Sequence, residues 1–309
     1  MGDPGGIGPE IAVKAALDKR VRAICAPVVV GARDVLGLYS RKIRMVETER
    51  REFHVGEIHA AHGLAALDAA RIAIKGAMAG KYHCVVAAPH SETAIHAAGI
   101  EFDGYPSFVA RTAGLAPEDG ILMLCFEHGA REVRIAHVTL HTSVRDALRL
   151  ITKDRVLRTI RAVQTALKKI GLEKPKIAVS GVNPHAGEGG LFGDDEQRTV
   201  IPAVEAARKE GITVDGPVGA DILIQRAGYD AYVVMFHDQG HVAAKLLAPQ
   251  RVAGLTIGTP VLFSSVAHGA AFDIAGQNRA NPAAMVEAIT RLVARRRRRP
   301  ATSKQSSKQ

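Results

Sequence analysis

Apolar residues in this chain gather into short runs that stop at polar or glycine-rich junctions, and these runs alternate with longer stretches at helical spacing. The runs Pro27 to Val30, Cys84 to Ala88, Ile177 to Val182, Ala231 to Phe236 and Leu255 to Ile257 predict strands. Ile121 to Phe126 and Val133 to Ala136 predict two more, joined as a hairpin around Glu127 to Ala130. Helices are expected from Gly63 to Ala79, with Leu64, Leu67, Ile72 and Met78 as its apolar positions, and from Asp154 to Ile170, closed by Gly171. Two more follow, one ending near Ala206 and a last one from Pro282 to about Arg296. At the start, Pro9 and Glu10 suit a first helical turn, with Ile11, Val13 and Leu17 behind them. Gly5, Gly6 and Gly8 precede that helix, either as an anion cradle or as a merely flexible loop. Strands alternating with helices around an antiparallel element define an α/β fold.

The stretch Asp230 to Lys245, DAYVVMFHDQGHVAAK, carries the densest chemistry. A buried strand is expected to stop at His237-Asp238-Gln239-Gly240 and to feed a helix bearing Val242, Ala243, Leu246 and Leu247, with Lys245 in the same turn. Strand ends of this kind place polar side chains at the carboxyl edge of a sheet, where α/β folds bind ligands. His137 follows VRIA and His185 follows IAVSGVNP, so three strands each deliver a histidine near their carboxyl ends. If the strands share one edge, the imidazoles suit a divalent metal with open positions, zinc first, with cobalt, nickel or magnesium as alternatives. Lys245, Asp221 and Asp238 are the candidate groups for proton transfer, and Lys245 also for binding a carboxylate. The competing reading is structural: satisfied buried histidines and helix-terminus charges.

A second constellation is HGAAFDIAGQNRANP, from His268 to Pro282. Its small residues, Gly269 and Gly276 among them, allow close backbone approach to a flat ligand, Asp273 suits ribose hydroxyls and Asn281 suits an adenine edge. The alternative is a small-residue turn before the last helix.

Composition narrows the class. The chain of 309 residues is large enough for one large domain or two smaller ones, and 47% apolar with 23% charged residues fits a globular enzyme. No tryptophan and 4% aromatic residues argue against a nucleic-acid stacking surface. Of the net charge of +10, +7 lies in Arg295 to Arg299, Lys304 and Lys308, leaving +3 for the rest. Residues 295–309 therefore read as a disordered basic tail. Cys25, Cys84 and Cys125 lack paired spacing and are expected to be reduced core residues of a cytoplasmic protein. No apolar stretch reaches membrane-spanning length, so no membrane association is expected.

The segment HGAAFDIAGQNRANP resembles the adenosine-binding segment of the β-decarboxylating isocitrate and isopropylmalate dehydrogenases. MGDPGGIGPE, HVTL, GVNPHAGEGG, GADIL and HDQGHVAAK together resemble the 4-hydroxythreonine-4-phosphate dehydrogenase family, over about residues 1 to 290. The resemblance implies an isocitrate/isopropylmalate dehydrogenase-like fold of two α/β/α subdomains with an active-site cleft between them. Residues 1–115 with 255–294 would form the nucleotide side, and 116–254 the metal and dimerisation side. It also implies NAD as cofactor, His137, His185 and His237 as metal ligands, Lys245 on substrate, Asp273 and Asn281 on adenosine, and a homodimer sharing its active sites.

Members of that family that handle a phosphorylated substrate carry Gly-His-Thr-Glu where this chain has Gly104-Tyr105-Pro106-Ser107, and a lysine where it has Glu92. Their substrate-binding asparagine and arginine correspond to Gly254 and Phe263. The blocks APHSETAIHAAGI, GYPS, HVTLH and FSSVAHG resemble instead the terephthalate dihydrodiol dehydrogenase branch, with His90, Ser107 and His141 as pocket residues. The implied activity is oxidation of an aromatic-derived cis-dihydrodiol carboxylate with loss of CO2. The other readings are a 4-hydroxythreonine-4-phosphate dehydrogenase and a non-catalytic nucleotide- or metal-binding protein.

Overall fold

The computed structural model describes residues 1–249, 252–266 and 268–293; the expected basic tail and the far end of the last helix lie outside the described residues. Its strands are β1 (Val29–Gly31), β2 (Met45–Glu47), β3 (Val85–Ala87), β4 (Ile121–His128), β5 (Arg131–His137), β6 (Lys176–Ser180), β7 (Thr213–Val218), β8 (Ala231–Val234), β9 (Ala253–Ile257) and β10 (Phe263–Val266). β1 and β2 pair with each other, and the other eight form one sheet in the order β3-β10-β9-β4-β5-β8-β6-β7. β4 and β5 make the expected hairpin, closed by Gly129 and Ala130 with Gly129 at φ 60. β5, β8, β6 and β7 run parallel, whereas β3, β10 and β4 run the opposite way.

Helices cover both faces of the sheet. Along β8, Ala231 and Val233 pack beneath the helices Lys153–Lys169 and Ile201–Lys209, while Tyr232 and Val234 pack toward the helix His237–Leu247. The helix Lys153–Lys169 has the expected amphipathic pattern, capped by Thr152 and burying Val156, Ile160, Val163 and Leu167.

The helix Ala60–Met78 buries a different face from the one expected. Leu67 is buried, but Ile72 and Met78 are 37% and 46% exposed, and the buried stripe is mostly alanine. Small side chains let this helix approach its neighbour closely: a Cβ at Gly63 would lie 2.5 Å from the Ala94 carbonyl oxygen. The run Ala231 to Phe236 also divides differently, because β8 ends at Val234 and the helix begins at His237. The subdomain boundary drawn at 254/255 falls inside β9.

A cavity of about 650 Å³ lies between β1 and β3 and is lined mainly by apolar residues such as Val29, Ala69, Ala73, Val85 and Met285. None of the residues expected in the site lines it.

Candidate active site

β5, β8 and β6 are adjacent and parallel, so the strands that precede His137, His237 and His185 share one carboxyl edge. His137 ends β5, and His237 opens the helix behind β8. Their ring centroids are 6.5 Å apart. Starting the helix at His237 puts His241 one turn along the same face, where it stacks on His237 at 3.8 Å and lies 4.8 Å from His137. His141 lies 5.6 Å from His237, and both line a cleft of about 510 Å³ with Val144 and Phe236.

Hydrogen bonds assign the tautomers. The Nδ1 of His137 lies 3.2 Å from the Leu122 carbonyl, that of His237 is 2.6 Å from the Asp238 carboxylate, and that of His241 is 3.2 Å from the His237 carbonyl. Each acceptor calls for N–H at Nδ1, so that in a neutral ring Nε2 carries the free lone pair. The Nε2 of His137 is buried without a partner, and a Cβ at Gly240 would lie 2.2 Å from it, so only glycine fits there. Burial, with His241 beside it, pushes His137 down to about 3, and burial with neighbouring His237 holds His241 at about 4. Neutral imidazoles such as His137 and His241, with Nδ1 engaged and Nε2 free, are the donor chemistry a borderline metal requires.

The sign of the His137 shift fixes a pH dependence. An unfolded histidine protonates near 6.5 whereas folded His137 stays neutral down to about 3, so between those values the unfolded state binds more protons and stability falls as pH drops. Relative to His137→Asn, the metal-free parent is expected to lose about 1.4 kcal/mol per pH unit from about pH 6 to about pH 4. Urea unfolding at constant ionic strength measures this, and parallel stability–pH curves for the two proteins would refute a buried neutral imidazole.

His185 stands apart within the chain. After β6, residues 185–189 take left-handed backbone angles, with φ of 52, 56, 80, 45 and 68°, and swing the loop over β7. The His185 side chain is 63% exposed and 3.3 Å from Glu188. It lines a cleft of about 290 Å³ with Asp221, Ile222 and Arg226. Among the described residues no group of three or more His, Cys, Asp or Glu is arranged to hold a metal. One chain thus unites His137 and His237, and separately His185 and Asp221.

Sequence reasoning missed three further groups. His241 escaped notice because the helix start was placed after Gly240, hiding the i, i+4 spacing to His237. Gln239 accepts from Met235 N–H and Phe236 N–H at 2.8 and 3.1 Å and donates to the Gly181 carbonyl at 3.2 Å, linking the ends of β8 and β6. Glu196 is fully buried beneath the His185 loop.

The segment after β10 packs against the amino-terminal glycine loop. Ile7 N–H donates to the Ala270 carbonyl, and a Cβ at Gly6 would lie 2.6 Å from that oxygen. Glu10 accepts from Ala280 N–H at 2.7 Å, and Lys14 donates to the carbonyls of Asn278 and Ala280, clamping the segment to the first helix. Asp273 is exposed in a single 3-10 turn, Gly269 has open space beside it, and the His268 ring faces the Gly269 carbonyl. Small exposed residues behind a carboxylate fit an adenosine. Asn281 is only half available: its Oδ1 accepts from Ala283 N–H at the start of the last helix, leaving its Nδ2 to donate. Gly276 is set by packing, since a Cβ there would lie 2.8 Å from Val55.

Lys245 is exposed on the His237 helix, and its charge reaches His241. His90 follows β3, which runs opposite to β5, so it does not join the His137 edge. It packs edge-on against Tyr105 at 4.6 Å and Phe102 at 5.1 Å, and Tyr105 in turn lies 4.8 Å from the fully buried Phe263. Ser107, on the helix behind Tyr105, hydrogen-bonds Asp103. The cysteines are free; Cys125 is buried, but Cys25 and Cys84 are only half-buried, at the rim of the large cavity rather than in the core.

Comparison with known proteins places this arrangement. The family described as "Pyridoxal phosphate biosynthetic protein PdxA" matches residues 11–292. The chain belongs to that family, and its relatives are dehydrogenases. A 1,2-dihydroxy-3,5-cyclohexadiene-1,4-dicarboxylate dehydrogenase from a Comamonas species is 41% identical, over 94% of this chain and 95% of the relative. A terephthalate 1,2-cis-dihydrodiol dehydrogenase structure from Burkholderia xenovorans LB400 is 42% identical, with TM-score 0.75 over 94% of each chain. A 4-hydroxythreonine-4-phosphate dehydrogenase structure from Klebsiella pneumoniae is 31% identical, with TM-score 0.80 over 96% of each chain. A β-decarboxylating dehydrogenase from Thermococcus kodakarensis shares the fold alone, at 16% identity and TM-score 0.53, over 95% of this chain and 81% of that one. No described helix is long and apolar enough to cross a membrane.

Proposed function

We propose that this chain is an NAD- and divalent-metal-dependent dehydrogenase that oxidises and decarboxylates an aromatic-derived cis-dihydrodiol carboxylate of the terephthalate dihydrodiol type, giving protocatechuate and CO2. The observation that carries the substrate assignment is the aromatic cluster of His90, Tyr105 and Phe263. Phosphate-handling members place histidine and arginine where Tyr105 and Phe263 stand, and lysine where Glu92 stands. Rings packed at two of those positions and a carboxylate at the third remove from these three positions the charge-assisted bonds a phosphate dianion uses, each worth roughly 1.5–3 kcal/mol. The likeness to the Comamonas and Burkholderia enzymes supports the same choice.

Oxidation removes a hydride from the carbinol carbon and a proton from its hydroxyl. The resulting β-keto acid loses its carboxyl group as CO2, and the ring becomes aromatic. Held by His137, His185 and His237, a divalent metal, zinc in first place, supplies Lewis acidity toward the diol oxygen, and NAD on His268, Gly269, Asp273, Gly276 and Asn281 supplies the hydride acceptor. Asp238 fixes the His237 ring so that Nε2 faces away from it. Lys245 offers a cation to a substrate carboxylate and His141 shapes the pocket beside His237, while His90, which lies off the His137 edge, and Ser107 are assigned to it on the family resemblance alone. Asp221, in the cleft of His185, is the candidate for moving the proton.

In this reading the enzyme is a homodimer in which His185 of each protomer completes the partner's site. Exposed Val144, Leu148, Val242 and Leu246 flank the His237 helix and its cleft and suit burial between protomers. The subdomains are 1–115 with 255–294, and 116–254, with the cleft between them. Free cysteines fit a reducing cytoplasm.

Steady-state NADH formation tests the assignment. Terephthalate cis-dihydrodiol is expected to give a kcat/KM at least about 100-fold above that of 4-hydroxythreonine 4-phosphate. Turnover of the phosphorylated compound alone would sink it.

A further inference from the structure

We propose that Glu196 is a positioning residue for His185: its buried carboxylate sets the loop that carries this histidine, and Gln239 ties the same loop to the turn that carries His237. The proposal rests on the reading of His185 as a metal ligand.

Glu196 has no solvent exposure, yet it sits in no ion pair with a lysine or arginine among the described residues. Its Oε1 accepts from the backbone N–H groups of Val182 and Asn183, each at 2.7 Å, and its Oε2 accepts from the Asn183 side chain at 3.0 Å. Burying a carboxylate is costly unless N–H donors replace its water, and the loop supplies three. The loop is moulded to the carboxylate in return. Gly187 has φ 80 and a Cβ there would lie 2.7 Å from Oε2, while a Cβ at Gly181 would lie 2.6 Å from the Ala186 Cα and 3.0 Å from Oε1, so both positions favour glycine.

This restraint acts where the backbone needs one. His185, Ala186 and Glu188 all have positive φ, which costs a residue with a Cβ of order 1 kcal/mol or more. A loop of this kind keeps its shape only when its surroundings over-determine it. Glu196 grips Val182 and Asn183, separated from the left-handed run by Pro184 alone, and Gln239 grips Gly181 just before those. The same Gln239 side chain accepts from Met235 and Phe236 at the root of His237. The bases of the two histidine-bearing segments are thus held by one connected set of hydrogen bonds, with Glu196 at its buried end.

The test uses the full-length protein with zinc alone, titrated against a chromophoric chelator, together with amide hydrogen exchange over residues 182–190. Glu196→Ala is expected to weaken zinc binding roughly 10–100-fold and to speed exchange in that loop, the effect expected on removing a group that orients a ligand. Glu196→Gln keeps an oxygen for the two backbone N–H groups and is expected to recover most of the affinity. Val163→Ala, a core truncation in the helix behind the same region, is expected to lower Tm while leaving zinc affinity unchanged. Zinc affinity of Glu196→Ala within about threefold of the parent, or an equal loss in Val163→Ala, would overturn the proposal. If the alanine variant does not fold, Glu196→Asp decides: it keeps the charge but withdraws the oxygens from the loop, and about tenfold weaker binding is expected against parent-like binding as the refutation. A parent protein that binds no zinc would overturn the metal reading itself, a failure distinct from one in which parent and variants bind zinc alike.

Discussion

Alanine at His237 is expected to lower kcat/KM by about 10³–10⁴-fold and to strip the bound metal, with little change in Tm. The magnitude follows from what a Lewis acid contributes: several kcal/mol of stabilisation for charge developing on the diol oxygen, at 1.36 kcal/mol per tenfold in rate. The small change in Tm follows from the environment. The His237 side chain is 36% exposed and its main contact is a stack on His241, so truncation opens no core cavity. His137→Ala should abolish metal binding as well, but it also empties a site that is 2% exposed, so it should lower Tm too. Asp238→Asn should cost only 10–100-fold, since that carboxylate orients the ring and does not itself bind the metal. Steady-state kinetics with elemental analysis of the purified variants decides the matter. Unchanged metal content in His237→Ala would remove this residue from the ligand set.

How far the sequence reached depended on whether a feature is local. The β4–β5 hairpin, the helix Lys153–Lys169 and the strands before the three histidines were legible because alternation, caps and turn glycines are written within a few residues of one another. Their sharing of one edge was only a condition of the metal reading, which the parallel β5-β8-β6 order meets. The alanine-rich helix Ala60–Met78 misled, because its buried stripe is chosen by the close approach of a neighbour rather than by large apolar side chains. β7 and β10 went unread, the first being broken by Gly216 and Pro217 and the second being short with two serines. His241 was hidden by an error of four residues in one helix start. Glu196 and Gln239 were given no role of their own, because only the fold reveals that backbone N–H groups of the His185 loop converge on Glu196 and that Gln239 donates to the Gly181 carbonyl.

Mixing two inactive variants, His185→Ala and His237→Ala, is expected to restore about a quarter of the parent activity, because the proposed two-fold dimer would build each site from both protomers. His137 and His237 have their rings 6.5 Å apart, whereas His185 lines another cleft with Asp221. In the proposed dimer, a single metal ligated by all three takes His185 from the second copy. In a dimer of the two variants, one site combines intact His137 and His237 from one protomer with intact His185 from the other, and the second site carries both lesions. Random exchange makes about half of the dimers mixed, and half of their sites are whole. The exposed apolar side chains Val242 and Leu246 on the His237 helix give exchange an interface to act through, so mixing calls for mild denaturant or co-expression. Recovery should track the mixed fraction as the variant ratio is changed, and metal content should rise with it. No recovery in a mixture shown by tagged capture to contain mixed dimers would mean that each protomer builds its site alone, and that the His185 loop must swing toward His237 within one chain.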